Sequence, residues 1–187
     1  MKNSADAIAT FANLKSDGVY TFFGAFYKTN ENDSRRRQVD DKVLEFESAL
    51  AVKKELGPFA HIHPNVVFLD ENGNRAMELD AVVHVGEENV PGSTAYIVEC
   101  SYSPQLGEVQ RLAEKVDRFL KFSKKDKHFE SVTNVVPVLA GRHWTSDTMK
   151  AATAANQWRV HPSGAGYDVV RVTGEKADGG RDGMARD

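Results

Sequence analysis

The sequence predicts an α/β domain, a mixed β-sheet flanked by helices, and three observations carry this prediction. Three apolar runs of strand composition follow one another between residues 66 and 101, separated by turns, the first of which contains Asn72-Gly73. An amphipathic run at helical spacing comes next, over residues 107–122. The apolar run 132–140 then predicts a strand that the intervening helix allows to pair in parallel.

Two further helices are predicted on either side of this core. Residues 37–56 predict a helix that Gly57-Pro58 ends. Residues 145–156 predict a short helix that begins at a Thr or Ser cap. In the first helix we assign the buried stripe to the apolar residues at helical spacing, which are Val43, Phe46, Leu50 and Ala51.

The remaining segments predict strands and loops. Residues 158–161 and 167–172 predict two last strands, and the polar run 30–37 predicts a loop. Within the strand 132–140, Pro137 predicts a bulge or an edge position, because proline donates no ladder hydrogen bond. The histidines of His61-Ile62-His63 are predicted to lie in a loop, since no further His or Cys stands at zinc spacing.

Length and composition favour one intracellular domain with terminal extensions. We divide the 187 residues into an N-terminal packing arm (1–36), a domain (37–173) and a disordered tail (174–187) rich in Gly, Asp, Arg and Lys. One cysteine excludes an intrachain disulfide framework, and no run approaches the length of a membrane span. The first residues lack the apolar core of a signal peptide, so we expect the cytoplasm or nucleus and no membrane partner.

Two acidic residues interrupt otherwise apolar strands. Asp80 lies in the second predicted strand and Glu99 in the third. A buried carboxylate costs several kcal/mol unless it is compensated, and a bound cation is a common compensation. Alternation places Glu78, Asp80, Val82 and His84 on one face of the second strand, and Ile97, Glu99 and Ser101 on one face of the third. If the strands pair with these faces aligned, the two acids converge on a divalent-metal site.

A third acid is expected from the first helix. At about 100° per residue, Glu47 lies roughly 40° from Val43 and roughly 60° from Leu50, which places it within the assigned apolar stripe. Glu45 lies about 200° from Val43 and is expected to face away. We therefore assign Glu47, rather than Glu45, to the candidate site.

The order of these residues resembles that of a known family. Phe46-Glu47, Glu78-Leu79-Asp80 and Ile97-Val98-Glu99-Cys100-Ser101 follow the layout of the PD-(D/E)xK nuclease superfamily. Residues 96–101, together with 114–119, look most like the nuclease-like domains of Crinkler-type effectors and related eukaryotic mobile-element proteins. The resemblance covers roughly residues 40–172 and implies a restriction-endonuclease-like fold with an αβββαβ core and extra strands.

The resemblance also implies a cofactor and a partner. Asp80, Glu99 and the carbonyl of Cys100 would hold Mg²⁺ or Mn²⁺, with Glu47 assisting, since magnesium prefers oxygen ligands. The ion would generate a hydroxide and neutralise charge developing on a phosphodiester. The implied partner is nucleic acid, DNA before RNA. The oligomeric state stays open, with a homodimer as one alternative.

One position departs from the family pattern. The expected lysine, two residues after the second acid, is replaced by Ser101, which brings no positive charge. Lys115 is the nearest relocated candidate, but it stands about 15 Å along the following helix, which argues against contact. Gln110 and Arg111 lie closer to the start of that helix and are assigned to water or phosphate contacts.

Three hypotheses therefore stand side by side. The first is a magnesium-dependent nuclease-like domain, either weakly active or with a relocated lysine. The second is a catalytically degenerate nuclease fold that acts as a nucleic-acid-binding or protein-interaction effector module. The third is an unrelated α/β interaction domain, favoured if the two acids point to opposite sheet faces. Since the net charge is −3, any nucleic-acid contact must come from local cations, for which we select Arg36, Arg37 and Arg142.

Overall fold

The computed structural model describes residues 33–86, 92–164 and 166–172, with side chains described from residue 40 onward. The predicted tail, and the predicted arm up to residue 32, lie outside these residues. The elements in chain order are α1 (Asp33–Leu56), β1 (Ala60–Leu69), β2 (Arg75–Val85), β3 (Ser93–Ser101), α2 (Leu106–Ser123), β4 (Val132–Gly141), α3 (Ser146–Ala154), β5 (Trp158–Ser163) and β6 (Gly166–Val170).

The strands form one mixed sheet in the order of the sequence, β1-β2-β3-β4-β5-β6. The first three strands pair antiparallel, β3 pairs parallel with β4 and β4 with β5, and β6 returns antiparallel. The two parallel pairs are those whose connections contain α2 and α3, which is the crossover that parallel pairing requires. The predicted mixed α/β sheet flanked by helices is confirmed.

Helices cover both faces of the sheet. On one face, α2 and α3 contribute Val109, Leu112, Phe119 and Ala152 to an apolar cluster with Ile97 of β3. On the other face, α1 contributes Ala49 and Val52 to a second cluster with strand residues that include Ala81, Val98 and Val138. We call these the α2 side and the α1 side. β3 and β4 contribute to both clusters, which explains their nearly continuous apolar sequences.

Two predicted boundaries were wrong. α1 begins at Asp33, so residues 33–37 are helical rather than a loop. β1 begins at Ala60 rather than Val66, and His61 and His63 are strand residues paired with His84 and Val82. The first residues of β1 are polar and include a proline, so their sequence does not predict a strand. They form one because they pair with the apolar β2.

Pro137 lies in β4, just before the residues of β4 that pair with β5. β4 pairs with β3 along its whole length, but with β5 only from Val138 to Ala140. Pro137 therefore lies one residue outside the β4–β5 ladder, where β4 is paired with β3 alone. β4 is an internal strand, and its ladder with β3 has no register shift at this residue, so the predicted bulge or edge strand is not found.

No helix in the described part of the chain is long and apolar enough to cross a membrane.

Replacing Phe119 by Ala should lower the free energy of unfolding by about 3–5 kcal/mol. Its ring is fully buried and meets the rings of Phe68 and Phe129 edge-on, with centroids 5.7 and 5.4 Å away. Phe59→Ala is the matched control, since that ring is 80% exposed and should cost less than about 0.5 kcal/mol. Urea denaturation of the two variants checks this, and equal losses would contradict the assigned core.

Candidate functional site

A polar cavity opens between α1 and the C-terminal end of β3. Its volume is about 290 Å³, and it is lined by Asp41, Leu44, Glu45, Asp80, Cys100, Ser101 and Tyr102. In open α/β sheets, ligands bind in crevices beyond the carboxyl ends of the strands. The cavity therefore lies where this fold class places binding sites, and four of its seven lining residues come from the strand segments around the two predicted acids.

β2 and β3 part at Asp80. Their ladder runs from Val85↔Thr94 to Ala81↔Val98, and one further step in this register sets Asp80 opposite Glu99. At that step a side-chain hydrogen bond stands in place of a backbone one. The Oδ2 of Asp80 accepts from the Cys100 N–H at 2.8 Å. The assumed register of the two strands is confirmed, and the first acid lies at the point where their pairing ends.

The side-chain alternation of β2 is interrupted at the same point. Leu79 and Val82 both belong to the cluster on the α2 side, although strict alternation would send them to opposite faces. On β1 the residue opposite Asp80 is Asn65, which has a φ of 50°, a conformation that non-glycine residues rarely adopt. Asp80 consequently opens to the cavity on the α1 side, and its predicted shared face with Val82 was wrong.

Glu99 leaves β3 toward the α2 side. Its Oε2 lies 2.5 Å from the Nζ of Lys115 on α2, and its Oε1 is buried without a hydrogen bond to the described residues. Burial raises the pKa of Glu99 to about 7, with the charge of Asp80 as the second cause and the Lys115 ammonium acting against both. The two acids thus turn toward different helices, while their charges interact across the gap between the strands.

Two carboxylates that line the cavity, those of Asp80 and Glu45, also have a pKa above the usual value. Burial raises the pKa of Asp80, against the lowering effects of the Cys100 N–H and the Lys115 charge. Burial also raises the pKa of Glu45, which the hydrogen bond from Lys42 partly offsets, and the charge of Asp80 adds to the rise. Asp80 therefore interacts with an acid on each side of the sheet.

The helix acid that lines the cavity is Glu45 and not Glu47, which differs from the sequence-based assignment. The buried residues of α1 are Val43, Leu44, Ser48, Ala49 and Val52, and they span about 240° of the helix surface. Both glutamates fall inside this span, but Glu45 lines the cavity, whereas Glu47 does not and its charge acts on Tyr167 of β6 instead. The signal that was missed is the small-residue face Ser48-Ala49, which lets α1 approach the sheet closely.

Lys115 does reach the site, against the sequence-based expectation. That expectation measured its distance forward from the start of α2, but α2 folds back over the sheet and Glu99 itself lies before the end of β3. Because α2 runs back along the sheet, the length of helix between its start and Lys115 places Lys115 over Glu99. Sequence spacing alone does not contain this reversal.

The other predicted residues divide between the cavity and the surface. Ser101 and Cys100 line the cavity, and burial followed by the Asp80 charge raises the pKa of the Cys100 thiol well above its usual range. Gln110 and Arg111 are exposed on α2, where Arg111 lies 3.7 Å from Glu108.

The predicted nucleic-acid-binding arginines also differ in their placement. Arg142 lies beside the cavity, its guanidinium 5.8 Å from the ring centroid of Tyr102. Arg36 and Arg37 lie on α1, in the stretch whose side chains are not described.

The donor set suits a hard cation that retains water. Among the described residues no group of three or more His, Cys, Asp or Glu is arranged to hold a metal ion. Magnesium requires less than this, since one or two carboxylates with several waters suffice. The cavity wall supplies Asp80 and Glu45, whose charges interact, whereas Glu99 turns to the α2 side and pairs with Lys115 there.

The stability of the protein should fall as the pH rises from about 4.5 to about 7. The Glu99 carboxyl ionises at its ordinary value of 4.5 when unfolded but keeps its proton to about 7 when folded. Between these values the unfolded state binds fewer protons, so the free energy of unfolding decreases with pH, by roughly 2–3 kcal/mol in total. Below pH 4.5 the contribution is fully present, and above about 7 it is lost.

Glu99→Gln should flatten this slope, as measured by urea denaturation at pH 5 and pH 8. Glu71→Gln serves as the control, because that side chain is 93% exposed and should leave the slope unchanged. An unaltered slope in Glu99→Gln would contradict the raised pKa.

The sequence was also compared with known proteins. No protein-family model matches the chain, and the search of curated proteins found no match.

Proposed function

We propose that this chain is a magnesium-dependent nuclease-like domain that binds nucleic acid, DNA before RNA, and hydrolyses phosphodiester bonds. The observation that carries the proposal is the pair of interacting carboxylates, Asp80 and Glu99, at the parting of two strands, with the Lys115 ammonium on the second. Acid, acid and lysine are the side-chain types that the PD-(D/E)xK resemblance requires. Here the lysine comes from α2 instead of β3.

The fold supports the proposal through its element order. α1, β1, β2, β3, α2 and β4 follow one another as helix, three strands, helix and strand. This is the αβββαβ order of a restriction-endonuclease-like core, and β5 and β6 would be the additional strands. Asp80 lies on the second strand and Glu99 on the third, in the order of that family.

The residues that would hold the ion are Asp80, Glu99 and the Cys100 carbonyl, with Glu45 beside Asp80 in the cavity. A bound Mg²⁺ supplies an activated water and neutralises charge on the phosphate. The chain's own contribution is a set of carboxylates that burial and mutual repulsion keep poorly compensated. A divalent cation would relieve that repulsion.

Lys115 and Ser101 would act on the phosphate from two directions, Lys115 from the α2 side and Ser101 from the cavity wall. The ammonium of Lys115 is the cation that Ser101 cannot supply, and its 30% exposure leaves it accessible from solvent. The Ser101 hydroxyl lies in the cavity wall, where it can donate a hydrogen bond to a water or a phosphate oxygen. Positive charge near the scissile group stabilises charge that develops during hydrolysis.

An unrelated α/β interaction domain, in which the acids are only structural, is the second candidate, and one observation favours it. The acids turn toward different sides of the sheet, and Lys115 pairs with Glu99. Against this candidate stands the charge of Asp80 acting on Glu99, which a purely structural pairing with Lys115 would not need. A binding module, in which the nuclease fold binds without cleaving, is the third candidate, and the presence of Lys115 beside Glu99 counts against it.

The decisive experiment incubates the protein with plasmid DNA and with RNA, in Mg²⁺ or in EDTA. We expect cleavage only with the metal, and at least a hundredfold loss in Asp80→Asn and Glu99→Gln, since the charge stabilisation is lost. Lys115→Ala should lose activity by a similar factor, whereas Lys121→Ala, exposed on the same helix, should retain it. Inertness of the wild type in both conditions, with undiminished nucleic-acid binding, would select the binding module.

Metal affinity should distinguish Glu45 from Glu47. Glu45→Gln should weaken Mn²⁺ binding severalfold by calorimetry, because it removes a carboxylate that interacts with Asp80. Glu47→Gln, on the same helix but outside the cavity lining, should leave the affinity unchanged. The reverse ranking would restore the sequence-based assignment of Glu47.

A further inference from the structure

Tyr102 is an exposed aromatic ring at the mouth of the cavity. It directly follows β3, lines the cavity with Asp80 and Ser101, and is 50% exposed. The cavity is otherwise lined mainly by polar side chains, four of them acidic or hydroxylated: Asp41, Glu45, Asp80 and Ser101. A half-exposed ring beside such a site offers an apolar surface to a ligand whose other parts are polar.

The backbone beneath Tyr102 is fixed by the neighbouring strand end. The Tyr102 carbonyl accepts from the N–H groups of Arg142 and His143, at 3.2 and 3.0 Å. The chain after β4 also approaches closely: a Cβ added at Gly141 would lie 2.2 Å from Pro104. The two loops interlock, so the backbone that carries the ring is fixed before a ligand arrives, which lowers the entropy cost of binding.

The groups around the ring suit a nucleotide. The His143 ring packs edge-on against Tyr102 with centroids 4.8 Å apart, and the Arg142 guanidinium lies 5.8 Å from the Tyr102 centroid. Burial raises the pKa of the Tyr167 phenol on β6, and the charge of Arg142 acts against this rise. Aromatic rings with a cation alongside are what proteins use to stack bases while the cation attracts the backbone.

We propose that Tyr102, supported by His143 and Arg142, is a stacking site for an unpaired nucleobase, and that the substrate is single-stranded or locally unpaired nucleic acid. The inference rests on the proposed function and specifies its substrate class. Within a duplex the faces of a base are covered by its neighbours, so only an unstacked base can lie on the ring. Its adjoining phosphate then lies toward Asp80 and Ser101, which share the cavity with Tyr102.

The test measures binding in EDTA, where cleavage does not interfere. Fluorescence anisotropy compares a labelled oligothymidylate of about 12 nucleotides with a duplex of equal length. We expect Tyr102→Ala to weaken single-strand binding roughly tenfold and Tyr102→Phe to stay within about twofold, because stacking needs the ring and not the hydroxyl. Phe59→Ala, which removes a ring that is 80% exposed and is not among the cavity-lining residues, should change nothing.

Two further arms keep the outcomes separable. His143→Ala should weaken single-strand binding without destabilising the fold, since its side chain is exposed, and the thermal midpoint of each variant is recorded. Asp80→Asn should abolish metal-dependent cleavage. Unchanged single-strand affinity in a folded Tyr102→Ala, or an equal loss for the duplex, overturns the stacking site while leaving cleavage standing. Tyr102-dependent binding without metal-dependent cleavage overturns the nuclease activity alone.

Discussion

The structure is organised around two carboxylates placed where β2 and β3 stop pairing. The Asp80 carboxylate accepts a hydrogen bond from the Cys100 N–H, in the place of a backbone carbonyl of β2. The Cys100 N–H therefore keeps a hydrogen-bond partner although the two strands diverge here. The gap that results is wide enough for a polar cavity and narrow enough for the charges of Asp80 and Glu99 to interact. An irregular backbone at Asn65 on β1, opposite Asp80, accompanies it, as is common beside functional sites.

The surrounding elements make this placement tolerable. α2 folds back over β3 and brings Lys115 to Glu99, which partly offsets a charge that burial disfavours. On the opposite side, the small residues Ser48 and Ala49 let α1 approach the sheet and bring Glu45 into the cavity. One cation from one helix and one acid from the other thus enclose the carboxylate pair.

Under the proposed function, the charges of the site would act on a cation and a polyanion together. Asp41, Glu45 and Asp80 line the cavity, while Lys115 is engaged with Glu99. A divalent ion would offset the excess of carboxylates, and the ion with Lys115 would then attract a phosphate. Tyr102 adds an apolar surface, which a base could contact and a phosphate could not. The loops after β3 and β4 interlock and hold the Tyr102 backbone beside the acids.

By itself the sequence determined the order of the elements, the mixed sheet and the position of Asp80 and Glu99 on neighbouring strands. These follow from local periodicity and turn chemistry, which nearby residues encode. Which acid of α1 enters the site, and whether Lys115 reaches Glu99, only the tertiary structure decided. Both depend on how a helix packs on the sheet: the packing of α1 puts Glu45 and not Glu47 in the cavity wall, and the reversal after β3 returns Lys115 to the strand. Neither packing distance nor chain reversal is written in the spacing of residues along a single segment.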